Sequence, residues 1–206
     1  MLAKNNNVGL FDLDFTSPST NMILGLQDAK PTEDKGLIPP KIHGLRYMSI
    51  VYYSGDYATP LRGADISNVL IELLAITKWE YLDYLILDMP PGISDATLDL
   101  MRLIKRIKFL IITTPSQLAF ETAKKLTSLL TQQNIPIIGI IENMKTNKSQ
   151  NIKNQTKTLG LKYLGQTTYD PQIEQALGNP PKLLNTKLGQ ETQRITTKIQ
   201  HTRTKK

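Results

Sequence analysis

"LDYLILDMPPGISD", residues 82–95, decides how the rest of the chain is read. Leu85, Ile86 and Leu87 form an apolar run that meets Asp88, Pro90, Pro91 and Gly92. A short apolar run bounded by Pro and Gly reads as a buried strand. The two prolines stiffen the turn that follows, because each fixes its own φ. A carboxylate where a buried strand stops is either the solvated Asp of a plain strand-to-helix turn or a group aimed at a ligand. In such a place it can hold a water of a divalent cation, while a following glycine N–H meets a phosphate oxygen. The usual companion of that arrangement is a glycine-rich cradle ending Gly-Lys-Ser or Gly-Lys-Thr. None occurs in these 206 residues.

Outward from this stretch, strands and helices alternate. "VGLFDL" (8–13) and "RYMSIVYY" (46–53) read as strands, with a loop rich in Pro, Gly and charge from Thr16 to Gly44 between them. Ile66, Val69, Leu70, Leu73 and Leu74 fall at helical spacing. Ser94 can cap a helix carrying Leu98, Met101 and Ile104 on one face. Ser116 can cap another along which Ala119, Ala123, Leu126 and Leu130 line up. "KFLIITT", "PIIGIIE" and the short "LKYLGQ" read as strands, and a polar segment runs from Lys145 to Thr158. Helical pieces are expected near Pro171–Leu177 and Gln190–Gln200. Strands after residue 80 are near-continuous apolar runs, as in a parallel sheet covered on both faces. The expected fold is therefore α/β and doubly wound, with a mostly parallel sheet and helices on both faces. Residues 1–206 read as a single domain, closed by a basic helix or tail over 187–206.

In such sheets ligands lie at the carboxyl ends of the strands. Three strands end suggestively: "FDLDF" with Asp12 and Asp14, the strand ending at Asp88, and "PIIGIIENM" with Glu142 and Asn143. Asp12 and Asp14 are two apart, so on a strand they share a face. There they could reach a metal or position a water, or form a plain surface acid pair. Asn143 carries both a donor and an acceptor, which suits the edge of an adenine ring, although Asn at a strand end is also ordinary turn chemistry.

Composition narrows the classes. The chain contains no cysteine, so these residues supply no disulfide, no thiol nucleophile and no thiolate ligand for zinc or iron–sulfur. With only His43 and His201, a histidine metal site or a Ser-His-Asp triad has little to rest on. The apolar runs are strand-length, shorter than a membrane span, and "MLAKNNNVGL" lacks the apolar core of a signal peptide. A soluble cytoplasmic protein is expected. The net charge of +7 is concentrated in "KTNKSQNIKNQTKTLGLK" and "TKIQHTRTKK". Neither holds the interleaved aromatics that stack on bases, so nucleic acid is not the expected partner and a solvated surface is.

Taken in order, "VGLFDLDFTSPST", "TPLRGADISNVLIELLAITKWEYLDYLILDMPPGISDATLDL", "FLIITTPSQLAFETAKKL", "IIGIIENM" and "LGQTTYDPQIEQALGNPPKLL" resemble the Mrp/NBP35 (ApbC-like) ATPases of the MinD/ParA group of P-loop NTPases. The resemblance runs from about Leu2 to Leu184. It implies a protein that binds ATP and Mg²⁺ as a dimer, in a family many of whose members carry or transfer iron–sulfur clusters. By position, Asp14 matches the first-switch acid that helps place the attacking water, and Asp12 the first acid of the same motif. Asp88 matches the acid near Mg²⁺, which it holds indirectly, and Gly92 the second-switch glycine that senses the γ-phosphate. Asn143 matches the asparagine that contacts adenine. Asp170 and Pro171 match a later loop near the base.

Departures from the family pattern carry equal weight. The glycine-rich loop with its two lysines would lie upstream of "MLAKNNNVGLFDLD", and it is not in the sequence. Phosphoryl transfer rests almost entirely on positioning and charge. The chain alone is therefore expected to be inactive as an ATP hydrolase. The strand that precedes this loop lies, in the family, between those matching "LDYLILD" and "KFLIITT". Without it two rows of backbone groups are expected to lack partners. The cysteine pair that many relatives carry after "ENM" is replaced by "KTNKSQNIKNQTKT", and the family's G-T-G-D and R-G-P read "GISD" and "RGA". The expectation is a truncated or divergent member of the family. The expected partners are a second copy or a full-length relative, in a homodimer or heterodimer, and iron–sulfur client proteins. Alternatives are a non-catalytic binding or regulatory partner of a full-length paralogue, or a ParA/MinD-like partitioning protein.

Overall fold

Five-residue strands recur along the chain, the more apolar of them bounded by turn formers. The computed structural model describes residues 1–15, 17–26, 29–50, 52, 64–146 and 151–203. Its contacts divide the chain into two compact units.

The first unit spans 1–102 with 177–180. It contains β1 (Val8–Asp12), α1 (Thr20–Leu24), β2 (Thr32–Glu33), β3 (Leu37–Ile38), β4 (Lys41–Ile42), β5 (Leu45–Ser49), α2 (Ala64–Ile76), β6 (Tyr84–Asp88) and most of α3 (Asp95–Leu103). One sheet has the order β4-β5-β1-β6, in which β1 runs parallel to both β5 and β6 and β4 antiparallel to β5. β2 and β3 form a separate small hairpin. Phe11, Leu13, Tyr47, Met48, Leu70 and Leu100 are fully buried here. Phe11 meets the Trp79 ring with centroids 5.6 Å apart. Gly9 is required by this packing: a Cβ there would stand 2.9 Å from the Trp79 ring and 2.8 Å from Leu82.

The second unit spans 103–176 with 181–206. It holds β7 (Phe109–Thr113), α4 (Gln117–Gln132), β8 (Ile137–Lys145), α5 (Ile152–Thr158), β9 (Tyr163–Thr168), α6 (Pro180–Asn185) and α7 (Lys187–Arg203), with a 3₁₀ turn over Pro171–Ala176. The order β7-β8-β9 is parallel throughout. Ile141, Leu164 and Ile195 form a buried cluster that joins the sheet to α7. Lys198 Nζ donates to the Leu164 carbonyl at 2.7 Å. The basic C-terminal segment is thus a helix docked on β9.

Several expectations are corrected. β5 stops at Ser49, well short of residue 53, and residues 51 and 53 lie outside the described set, as does 59–63 of the resemblance. The supposed loop from Thr16 to Gly44 holds α1 and three short strands. The polar segment from Lys145 to Thr158 ends in α5, capped where Asn151 Oδ1 accepts the Asn154 N–H; its residues 147–150 lie outside the described set. α3 buries Ala96, Thr97 and Leu100, whereas Leu98 is exposed. Mutual capping by Ser94 and Thr97 sets that phase, with the Thr97 N–H donating to Ser94 Oγ at 3.3 Å. Ser116 occupies the N-cap of α4 but makes no side-chain bond there, and the buried stripe is Phe120, Ala123, Thr127 and Leu130. On α2 the expected stripe holds, with Leu70 and Leu73 buried.

β6 and β7 were expected to be covered on both faces. Side chains on both remain exposed, and each is also the last strand of its sheet, with a ladder partner on one side only among the described residues. Leu85, Ile86, Leu110 and Ile112 are exposed on them, Ile112 to 61%. Soluble proteins blunt such edges with charge, Pro or bulges, yet "YLIL" carries none of these.

Candidate functional site

β1 and β6 are in register, so Asp12 and Asp88 stand side by side at the carboxyl end of the first sheet. Asp12 is fully buried. Its Oδ2 accepts from Thr20 Oγ1 at 2.5 Å and from the Thr20 N–H at 3.3 Å, and its Oδ1 accepts the Asp14 N–H at 3.1 Å. Because the Thr20 hydroxyl proton goes to Asp12, its 2.9 Å contact with Tyr47 has the phenol as donor. Tyr47, Thr20 and Asp12 form a relay that ties the β1–α1 loop to the sheet. β1 ends at Asp12, so Asp14 lies beyond the strand and does not share a strand face with it. Asp14 Oδ1 accepts the Ser17 N–H at 3.1 Å.

Thr20→Val should expose how much this relay matters. It removes a donor from a buried carboxylate and an acceptor from Tyr47. A cost of about 1.5–3 kcal/mol is expected in urea unfolding. A loss below about 0.5 kcal/mol would mean that Asp12 finds another donor.

Asp88 is exposed by surface area, but enough protein surrounds its carboxyl that desolvation is the first cause of its raised pKa. Repulsion from Asp12 and then Asp14 adds to it. The structure therefore gathers three of the acids singled out from sequence at one strand-end cluster. Gly92 follows on the turn with φ 86°, a region that disfavours a side chain, in otherwise open space. That leaves its backbone uncrowded.

In the second unit, Glu142 is fully buried. Its Oε2 accepts from Tyr163 at 2.7 Å and from Lys145 Nζ at 3.0 Å, and its Oε1 has no partner among the described residues. Burial, followed by the bond to and the charge of Glu142, pushes the Tyr163 phenol well above its ordinary value. Asn143 follows, with Oδ1 accepting from Thr167 Oγ1 at 2.5 Å and from the Met144 N–H at 3.0 Å. Asp170 Oδ1 accepts the Gln172 N–H at 3.0 Å as Pro171 opens the 3₁₀ turn, while its Oδ2 is buried without a partner among the described residues. Sequence reasoning missed Thr20, Tyr47, Thr167 and Glu191. Glu191 of α7 grips Thr168 through its N–H at 2.6 Å and its hydroxyl at 2.9 Å. Thr167 and Thr168 stood in the quoted stretch, but nothing in spacing alone marks their partners.

Magnesium can be tested against these groups. A cation at the strand-end cluster would relieve the repulsion among Asp12, Asp14 and Asp88. Among the described residues no three acidic or histidine side chains converge into a cage. A magnesium ion that kept most of its waters would need only one or two of these carboxylates, and Asp88 could meet such an ion through a water. The phosphates of a nucleotide do not find their cradle among these residues, since no Gly-Lys-Ser/Thr loop is present. No helix among the described residues is long and apolar enough to cross a membrane.

A family model described as "ParA: NUBPL iron-transfer P-loop NTPase" matches residues 1–204. An iron-sulfur cluster carrier protein of Methanocaldococcus jannaschii is 34% identical over 211 residues, covering 93% of this chain and 73% of the relative. The protein of the same name from Aquifex aeolicus is 32% identical over 182 residues, covering 81% of this chain and 50% of its own length. The chain spans about half the length of most of the curated relatives it matches. Among solved structures, a nucleotide-binding protein of Archaeoglobus fulgidus in complex with ADP superposes with a TM-score of 0.72 at 25% identity, over 88% of this chain and 76% of that one. The cell division ATPase MinD of Pyrococcus furiosus, at 13% identity, gives 0.70 over 96% and 87%, which speaks for the fold. The α/β fold is that of the MinD/ParA P-loop NTPases, and the chain belongs to the NUBPL iron-transfer P-loop NTPase family.

Proposed function

We propose that this chain carries the switch residues of an ATP- and Mg²⁺-binding iron–sulfur carrier ATPase of the Mrp/NBP35 type, whose phosphate loop is not among residues 1–206. One observation carries the reading: Asp12 and Asp88 in register at the carboxyl ends of β1 and β6, with Asp14 and Gly92 on the loops that leave them. Asp88 is assigned to the metal and Asp14 to the attacking water. Asp12 holds the first switch in place through Thr20. Gly92 offers its N–H to the terminal phosphate. Asn143, Asp170 and Pro171 are assigned to the purine. Magnesium, when bound, bridges phosphate oxygens and neutralises their charge. The chain's own part is to orient that ion and the water. The phosphate cradle is assigned to a strand and glycine-rich loop that these 206 residues do not contain, and residues 1–206 with that strand are proposed to act as one domain.

The proposed working form is a cytoplasmic dimer, with itself or with a full-length relative; in the second case the relative supplies the thiolates from which clusters pass to client proteins. ATP binding measured before and after the loop is supplied tests the reading. With no cysteine, these residues do not hold the cluster themselves. The purified chain should stay colourless after anaerobic reconstitution with iron and sulfide. Stoichiometric iron and sulfide with a visible charge-transfer band would overturn that assignment.

A further inference from the structure

β8 gains one residue on β9 near its end, so that Glu142 stands opposite Gln166 and Lys145 opposite Thr168. The last two residues of β9 are then held from opposite sides. Thr167 is buried, and its hydroxyl donates to Asn143 Oδ1 at 2.5 Å. Thr168 turns the other way. The Tyr169 N–H that follows it goes to the Lys145 carbonyl of β8, so by strand alternation the Thr168 N–H points to the outer side of β9. There it meets α7. Glu191 Oε2 accepts that N–H at 2.6 Å, and Glu191 Oε1 accepts the Thr168 hydroxyl at 2.9 Å. A carboxylate accepts at both oxygens, which two donors on one residue require. Glu191 is also the only acid of α7, whose other charged residues are Lys187, Arg194, Lys198 and Arg203.

Two further contacts dock the helix, and both lie nearer the start of β9. One turn on from Glu191, Ile195 packs on Leu164 and Ile141, and a Cβ at Gly165 would stand 2.9 Å from its Cγ1. Lys198 Nζ donates to the Leu164 carbonyl at 2.7 Å. Glu191 alone of the three grips the residue from which the loop over residues 169–171 departs. The Asp170 carboxyl is used within that loop: Oδ1 accepts the Gln172 N–H at 3.0 Å and Oδ2 is buried. What the loop brings to a base is therefore its path, and the path is set where it leaves Thr168.

We infer that Glu191 is a positioning residue for the adenine subsite. By fixing Thr168 it fixes the start of the 169–171 loop and, one residue back, the Thr167 hydroxyl that holds Asn143. This rests on the purine contact proposed for Asn143. Glu191 acts through the two threonines and touches no nucleotide. Exchange for glutamine keeps the shape but leaves one acceptor for two donors, since the amide nitrogen faces whichever donor the oxygen does not take.

The experiment is an NMR titration of the whole ¹⁵N-labelled chain with AMP into the millimolar range, following the Asn143 side-chain amide, with a urea midpoint for every variant. Wild type should show a saturable shift. Glu191→Gln should weaken AMP about 3- to 10-fold, the worth of one hydrogen bond. Thr168→Val removes the hydroxyl from the other end of the same contact and should weaken AMP in the same range, whereas Thr168→Ser should bind as wild type does. Ile195→Val and Lys198→Met loosen α7 away from the loop; they should lower the urea midpoint and leave AMP affinity within twofold of wild type. Wild-type affinity in both Glu191→Gln and Thr168→Val overturns the inference and leaves the purine contact standing. So does an equal loss of affinity in Ile195→Val and Lys198→Met, which would mean that α7 serves the site only by holding the fold. No shift at Asn143 with AMP, or wild-type binding by Asn143→Ala, overturns the purine contact and the inference with it.

Discussion

Joined to a strand and a glycine-rich phosphate loop taken from a relative, the chain is expected to bind MgATP at least a thousandfold more tightly than residues 1–206 do alone. The unextended chain should bind no better than millimolar, with turnover at background. A phosphate cradle works by charge-assisted hydrogen bonds from backbone N–H groups and a lysine, each worth roughly 1.5–3 kcal/mol. Three such bonds already amount to about a thousandfold in affinity. A contact from Asn143 to the base, a single hydrogen bond of about 1 kcal/mol, does not make up that difference. The added strand has a place to go. β6 lacks a ladder partner on its outer side among the described residues, and so does β7. Leu85, Ile86, Leu110 and Ile112 lie exposed on those strands. Pairing there should also raise the urea midpoint of the joined protein, because open apolar edges become covered. Calorimetry decides the matter. Micromolar ATP binding by residues 1–206 alone would show a second phosphate site and undo the assignment of the phosphates to the absent loop.

Much of this was legible in the sequence, and the reasons are local. "LDYLILD" announces β6 because five apolar or aromatic positions precede a carboxylate and a Pro-Pro turn. α2 announces itself because Leu70 and Leu73 recur at helical spacing and both reach the core. α5 stayed hidden because "IKNQTKT" offers only Ile152 and the buried Thr156 to a core, too little apolar signal to show a period. The exposure of β6 and β7 could not be seen either. A near-continuous apolar strand looks the same whether or not its neighbour is in the sequence. In the site, the types of the acids and their strand ends were readable, whereas their partners were not. Thr20 meets Asp12 only because α1 starts eight residues on. Thr167 meets Asn143 only because β8 bulges, and a bulge leaves no mark in the alternation of residues.

Asp88→Asn should separate stability from function. In the loop-completed protein, loss of the carboxylate that orients magnesium should lower turnover by about 100- to 1,000-fold, the range seen when one transition-state-stabilising group is removed. MgATP affinity should change far less, since the cradle and not Asp88 carries most of the phosphate contacts. In the chain alone the same substitution should stabilise the fold at neutral pH, because it removes a charge that is partly desolvated and repelled by Asp12 and Asp14. The sign follows from linkage. A carboxyl whose native pKa is raised binds its proton more tightly folded than unfolded, so it costs stability once pH rises above its ordinary value of 3.8 and through the raised native one. The advantage of Asp88→Asn should therefore be present at pH 7 and fade as pH falls below that ordinary value. Urea midpoints across that range, set beside steady-state turnover of the completed protein, give both halves of the test. A variant less stable than wild type at pH 7 would mean that Asp88 is held by a favourable partner and not strained by its neighbours. Turnover within threefold of wild type would remove Asp88 from the metal site. A charge that weakens the fold that carries it is kept for what it binds, and this substitution measures both sides of that exchange.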